Sequence, residues 1–228
     1  MMRMIFGFAA ALVLSSTAHA LSLDQLSNKD AADGLKEALT QGAGHAVDLL
    51  GQNDGFLGNP KVKIPLPGSL EKAEGMMRGL GMGKYADELV TSMNRAAEAA
   101  VPEAKALLLD SIRKMSVDDA KSILTGGDDA ATQYFRRTTA EPMAEKFKPI
   151  VQMAMAKVKL AEKYDQFAGK ASRFGLIKEE DTHLDHYVTG KALDGLYLMI
   201  AEEERTIRKD PLGAAGSLAK KVFGALGH

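Results

Sequence analysis

The chain has 228 residues, of which 46% are hydrophobic and 26% charged, with a formal net charge of −1 and no cysteine. Plentiful apolar residues at nearly zero net charge exclude an intrinsically disordered chain, and 29 Lys and Arg against 30 Asp and Glu disfavour a nucleic-acid binder with a basic stripe. The lack of cysteine excludes disulfide scaffolds, cysteine-ligated zinc, iron–sulfur clusters and thiol nucleophiles.

Residues 1–20 have the layout of a secretory signal peptide. A basic start precedes the uncharged apolar run Met4–Leu14, and the segment ends in a small-x-small cleavage site at Ala18 to Ala20. The run is shorter than the ~20 residues that span a bilayer, although a retained N-terminal anchor is the alternative interpretation. We expect cleavage after Ala20. The mature chain, 21–228, is then a periplasmic protein with no cysteine for a lipid anchor and no transmembrane helix.

The first predicted helix begins at Ser27, whose spacing to Asp30 is typical of a helix start, and it continues to about Leu50. The pattern then changes, because residues 51–69 contain turn signals and three prolines. Proline has no N–H for a central strand, so residues 56–68 are predicted to form an extended arm or edge strand. We expect Lys61, Lys63 and Leu66 to lie on an exposed edge of this arm.

The rest of the chain also has helical periodicity, with no series of alternating strands and no fixed repeat. The first three predicted helices of this part run from Ser69 to about Leu80, from Tyr85 to Val101, and from Pro102 to Met115, where Pro102 either kinks the preceding helix or starts a new one. A Ser116 capping-box helix ends at Gly126, a helix capped by Asp128 follows, and the next has Pro142 in its first turn, a bend at Pro149 and an end at about Phe167. The last long helix, Leu184 to about Lys209, is capped by Asp181 or Thr182, and a tail helix runs from Leu218 to Leu226. The pattern therefore predicts one all-α domain of about eight helices, spanning 21–228.

Several blocks of the mature chain resemble, in the same order, the bacterial exported family known as domain-of-unknown-function family 4197. The blocks are Gly34–Leu39, Gly55–Asn59, Lys63–Pro67, Met93–Glu98, Asp119–Leu124, Ala130–Phe135, Tyr187–Thr189, and Glu203-Glu204 with Ile207-Arg208. The likeness runs from about Leu26 to Phe223. It implies a helical, exported domain, and it supplies no activity, substrate or catalytic residue.

Two histidines are the candidates for a metal site. His183 and His186 are three residues apart at a predicted helix start, so their imidazoles share a helix face beside Asp185. Two imidazoles fall short of the four ligands of a closed zinc site, and ordinary surface polarity is the preferred interpretation. No metal or other cofactor is predicted.

Polar residues also interrupt the apolar helices. They are Asn94, Arg95, Glu98, Asp119, Thr132, Tyr134, Arg136, Tyr187, Glu204 and Arg208. If they converge, they could form a pocket in which an arginine clamps an anion or zwitterion. The alternative, which we favour, is a structural network of arginine–carboxylate pairs that tie helices together. Glu204 and Arg208 have the favourable i, i+4 order for such a pair.

These observations leave two functions open. The favoured one is a non-enzymatic domain that binds a small ligand or a periplasmic protein, through the arm or through an amphipathic C-terminal tail that includes Lys220 and Val222. For the tail, docking on its own domain is preferred. The alternative is a hydrolase or lyase that uses carboxylates such as Asp119 and Glu204 with an arginine clamp.

Overall fold

The computed structural model describes residues 27–68, 78, 79, 81, 83–157, 183–210, 220 and 222, and this part of the chain contains helices and no β-strand. The helices are α1 (Asn28–Gly51), α2 (Gly83–Ala100), a 3-10 turn (Val101–Glu103), α3 (Ala104–Lys114), α4 (Val117–Leu124), α5 (Ala130–Met155) and α6 (Leu184–Lys209). The all-α class is confirmed, with fewer helices in the described residues than the eight or so predicted. The signal peptide and most of the predicted helices at 69–80 and 218–226 lie outside them.

The long C-terminal helix α6 is central to the packing, because it contacts α1, α2 and α5. The shorter helices α3 and α4 pack on α1 and α5. Buried apolar side chains from all six α-helices and from the arm form one contiguous cluster. Val222 belongs to this cluster and is fully buried.

Helix α1 begins where its sequence predicts. The Ser27 hydroxyl oxygen accepts the Asp30 N–H at 3.1 Å, and the hydroxyl donates to the Asp30 carboxylate at 2.7 Å. This side-chain bond satisfies a backbone donor that the first turn of a helix leaves without a partner. Helix α6 has the predicted bounds, but its N-cap residue is His183 instead of Asp181 or Thr182.

Helix α5 corrects the prediction that two helices meet at Pro142. It is continuous from Ala130 to Met155, with Pro142 and Pro149 inside it. An interior proline costs about 3 kcal/mol because a backbone hydrogen bond is lost. Residues on both sides of Pro142 recur at helical spacing on one buried face, which consists of Phe135, Thr139, Met143, Phe147 and Val151. Burying these large side chains, at about 1.5–3 kcal/mol each for the apolar ones, outweighs the lost bonds.

The proline at 102 marks a genuine boundary. Helix α2 ends at Ala100, and Pro102 occupies the 3-10 turn before α3 begins at Ala104. Proline is tolerated in a first turn because its missing N–H would have no helical partner there. Of the two predicted outcomes, a kink or a new helix, the structure has the new helix.

In the arm, residues 56–68, the prediction of an exposed edge is wrong for Leu66. The arm passes through turns and then runs without regular secondary structure from residue 63 to 67. Leu66 is only 5% exposed, and Phe56, Val62 and Ile64 are buried as well. Lys61 and Lys63 do point to solvent, and Lys61 pairs with Glu202 at 2.8 Å. The alternation of apolar and polar residues thus reflects burial on the helices and not a free strand edge.

We expect Gly195→Ala to destabilise the protein by about 1–3 kcal/mol, the usual cost of overpacking a filled core. A methyl group at Gly195 in α6 would lie 2.7 Å from Phe56 Cε1 and 3.3 Å from Val62 Cβ, so the arm would have to move. Urea unfolding measures the effect. Gly44→Ala in α1 is the matched control, because a methyl group there meets nothing within 4 Å. An equal or larger loss for Gly44→Ala would contradict this packing.

Candidate functional site

Asn94 of α2 is completely buried and binds the backbone of the arm. Its Oδ1 accepts the Ile64 N–H at 2.8 Å, and its Nδ2 donates to the Ile64 carbonyl at 2.9 Å and to the Val90 carbonyl at 2.8 Å. The amide therefore pairs with Ile64 much as a neighbouring strand would. This arrangement satisfies two backbone groups that the arm would otherwise bury without partners.

One turn further along α2, Glu98 holds the beginning of the arm. Its Oε1 accepts the N–H groups of Phe56 and Leu57 at 3.0 and 3.1 Å, and its Oε2 accepts Arg95 at 2.6 Å. Arg95 also donates to Asp54 at 2.7 Å. The hydrogen bonds to the two carboxylates raise the pKa of Arg95 above its usual value, and the bond to Glu98 has a larger effect than the bond to Asp54. Asn94, Arg95 and Glu98 thus form one cluster, which we call the arm clamp.

A second cluster lies where α4, α5 and α6 meet. Glu204, whose side chain is 4% exposed, accepts the N–H groups of Ala131 and Thr132 and the Thr132 hydroxyl, each at 2.9 Å. Arg208 donates to Glu204 at 2.8 Å and to the Ile123 carbonyl near the end of α4 at 2.9 Å. We call Thr132, Glu204 and Arg208 the helix junction.

The helix junction explains why the predicted Asp128 cap is wrong. The N-cap residue of α5 is Asp129, and its side chain makes no capping hydrogen bond. Glu204, from α6, takes that role by binding two of the first backbone N–H groups of α5. A carboxylate is well placed there, because the N-terminus of a helix carries a partial positive charge. The cap is thus supplied from a distant part of the chain.

The remaining predicted residues have separate partners. The Tyr134 hydroxyl donates to the Ser111 carbonyl at 2.9 Å, and the Tyr187 hydroxyl donates to the Pro65 carbonyl at 3.1 Å. Arg136 lies 3.4 Å from Asp194 on α6. The structure therefore brings the predicted polar residues into two clusters and several single contacts. Each of the three arginines that could have served as the ligand clamp, Arg95, Arg136 and Arg208, contacts a carboxylate of the fold.

Tyr197 is a buried polar residue that the sequence analysis missed. It is 1% exposed, and its hydroxyl lies 2.9 Å from Thr139 Oγ1, whose own proton is directed at the Phe135 carbonyl. The Arg136 guanidinium stacks on the Tyr197 ring at 4.7 Å. Burial raises the pKa of Tyr197 above its usual value. In the sequence, Tyr197 stands within an apolar run of α6, where nothing separates it from an ordinary core aromatic.

Asp119 is bound within a reciprocal capping box at the start of α4. Its N–H donates to Ser116 Oγ at 3.0 Å, and its carboxylate accepts the Ser116 hydroxyl and N–H at 2.7 and 3.1 Å. These bonds lower the pKa of Asp119, and the bond from the Ser116 hydroxyl has a larger effect than the bond from the Ser116 N–H. Arg137, 3.8 Å away, contributes in the same direction. The predicted capping box is confirmed.

We expect Ser116→Ala to cost about 1 kcal/mol of stability, as for other lost N-caps.

The contribution of Asp119 to stability should depend on pH. Because its pKa is lowered by folding, its stabilisation is present above the unfolded pKa, about 3.9, and is lost as the pH falls through the folded value. Thermal melts of wild type and Asp119→Asn should therefore differ at neutral pH and converge in acid. Asp118→Asn, in the same exposed turn, is the control. A difference that persists at low pH would contradict this account.

The two candidate metal ligands lie together at the start of α6. The ring centroids of His183 and His186 are 5.6 Å apart, with the ring planes inclined at 51°, and both residues are exposed. Within the described ranges, no group of three or more histidine, aspartate or glutamate side chains could hold a metal ion. The two imidazoles lie side by side, and whether they bind a metal ion stays a prediction.

The profile of the family described as "Protein of unknown function (DUF4197)" matches residues 25–224. The chain belongs to this family, which confirms the resemblance drawn from the sequence blocks. No curated protein and no solved structure matches the chain. Among the described residues, no helix combines the length and the apolar character needed to cross a membrane.

Proposed function

We propose that this family member is an exported, periplasmic helical domain that binds a small ligand or a protein partner and does not catalyse a reaction. The observation that carries the proposal is the engagement of its buried carboxylates. Glu98 and Glu204 each accept two backbone N–H groups from another segment and one arginine. A catalytic carboxylate must reach a substrate atom, whereas these two are aimed at the backbone of their own fold.

The same reasoning applies to the arginines and to Asp119. Arg95 and Arg208 bridge a carboxylate to a second group of the fold, and Asp119 serves its capping box. These contacts support the structural-network interpretation of the predicted polar residues. A function that uses the outer surface for binding leaves all of these contacts intact.

The export half of the proposal is supported by the sequence of residues 1–20. A basic start, a short apolar run and a small-x-small site have the order of a cleaved leader. The family match begins at residue 25, beyond the predicted cleavage site after Ala20.

Native mass spectrometry of the protein purified gently from the periplasm of its host tests both halves. We expect a polypeptide mass that begins at Leu21, accompanied by a complex with a discrete ligand or protein mass. A mass that retains Met1 would refute the cleavage. For the second half, the protein is incubated with a periplasmic small-molecule extract. Consumption of a compound by native protein but not by heat-denatured protein would refute the non-catalytic role.

A further inference from the structure

We propose that His183 and His186 form a two-imidazole site for an exchangeable transition-metal ion. His183 is the N-cap residue of α6, its side chain makes no capping hydrogen bond, and His186 follows in the first turn. The structure gives neither imidazole a hydrogen-bond partner among the residues it describes. His45 differs, because its Nδ1 lies 2.8 Å from a Glu203 carboxylate oxygen. The nitrogen atoms of the pair are therefore open to another ligand.

The spacing of the two rings is close to that of a metal-bound pair. An ion about 2.1 Å from one nitrogen of each ring places the ring centroids about 4.6 Å apart at the right angle that Cu²⁺ prefers, and about 5.3 Å apart at a tetrahedral angle. The observed centroid separation is 5.6 Å. Both side chains are exposed, so rotations about their torsions can turn one nitrogen of each ring toward a shared ion.

The backbone that carries the pair is held in place. Leu184 is 1% exposed and anchors the first turn of α6 in the core. Asp185 accepts a hydrogen bond from Gln152 on α5 at 2.7 Å, which fixes the same turn from its other side. A preorganised pair loses little conformational freedom on binding. The Asp185 carboxylate also offsets the partial positive charge of the helix N-terminus, which would otherwise disfavour a bound cation.

Two imidazoles define the class of ion and the type of site. Imidazole nitrogen suits divalent copper, nickel and zinc, and copper binds most tightly in that series. Among the described residues no group of three or more His, Asp or Glu could hold a metal ion, so this part of the chain supplies two ligands and water or an outside ligand would complete the coordination. The site is therefore exchangeable, unlike a closed structural zinc site. The inference stands on the geometry of α6 and does not depend on export or on the proposed binding role.

Titration of Cu²⁺ into the purified protein tests the inference, with calorimetry in the presence of glycine as a competitor and electron paramagnetic resonance to detect nitrogen ligands. The variants are His183→Ala, His186→Ala and the double substitution. His45→Ala is the matched control, since it also removes an exposed histidine of the bundle. Circular dichroism melts monitor folding, which these substitutions of exposed side chains should preserve.

We expect wild type to bind one equivalent of Cu²⁺ through two imidazole nitrogens. Each single variant should bind about tenfold more weakly or worse, because the second imidazole no longer acts at high effective concentration. The double variant should lose this binding, and His45→Ala should keep it. Wild-type affinity in the double variant, or an equal loss in His45→Ala, would overturn the proposal.

Discussion

Replacing Glu204 with alanine is expected to lower the free energy of unfolding by about 3–5 kcal/mol, the range for removing one partner of a buried ion pair. The substitution removes the Glu204 carboxylate, which Arg208, 14% exposed, contacts at 2.8 Å. It also leaves the Ala131 and Thr132 N–H groups and the Thr132 hydroxyl without their acceptor. Chemical denaturation followed by circular dichroism measures the loss, and we expect it to be the largest among the polar residues of the bundle.

Two further variants separate the role of Glu204 from a general effect of charge. Glu203→Ala removes the neighbouring carboxylate, which is 23% exposed and pairs with His45, and should cost about 1 kcal/mol or less. Glu204→Gln keeps one acceptor oxygen but turns an amide NH₂ toward N–H donors, so its loss should be intermediate. If Glu204→Ala cost no more than Glu203→Ala, the capping of α5 by Glu204 would be refuted.

Replacing Asn94 with alanine should lower stability by about 2–4 kcal/mol, since burying unpaired backbone groups costs about 1–3 kcal/mol each. The Ile64 N–H and carbonyl both lose their partner, and Ile64 itself is 1% exposed, so water does not readily replace the amide. Denaturation gives the overall loss. Hydrogen exchange gives the local one, because the Ile64 amide should lose its protection.

Asn94→Asp and Asn53→Ala serve as controls for the arm clamp. Asn94→Asp retains an acceptor for the Ile64 N–H and loses the donor to the Ile64 carbonyl, so the amide of Ile64 should stay protected while stability falls. Asn53 is exposed, and its replacement by alanine should change stability by about 0.5 kcal/mol or less. Unchanged exchange of the Ile64 amide in Asn94→Ala would show that Asn94 does not hold the arm.

The sequence predicts those helices whose signals are local. Caps such as Ser27 and Ser116 lie within three residues of their partners, and the i, i+4 pair of Glu204 and Arg208 is confirmed at 2.8 Å. The prolines of α5 show where local signals fail. Pro142 is typical of a helix start, but the buried face that continues through it depends on how α6 packs, which no window of the sequence contains.

For the candidate site, too, the sequence predicts local features and does not predict distant contacts. The sequence correctly singles out Glu98 and Glu204 as unusual, because charges are rare in apolar helices unless they are paired. It does not reveal what they bind. Glu98 contacts backbone groups 41 and 42 residues away, and Glu204 contacts groups 72 and 73 residues away. Every residue except proline has a backbone N–H group, so the composition and spacing of the sequence do not predict which of these groups a carboxylate binds.

The central position of α6 has a consequence for the order of folding. Glu204 caps α5 by accepting the Ala131 N–H, 73 residues earlier in the chain, and a side chain at Gly195 would meet Phe56 of the arm. A growing chain therefore completes neither the start of α5 nor the seat of the arm until its C-terminal helix has been synthesised. Contacts so distant in sequence form late, because long loops must close first. Fragments that end before Leu184 should consequently remain open to proteases and chaperones, and the native bundle should close only once α6 is present.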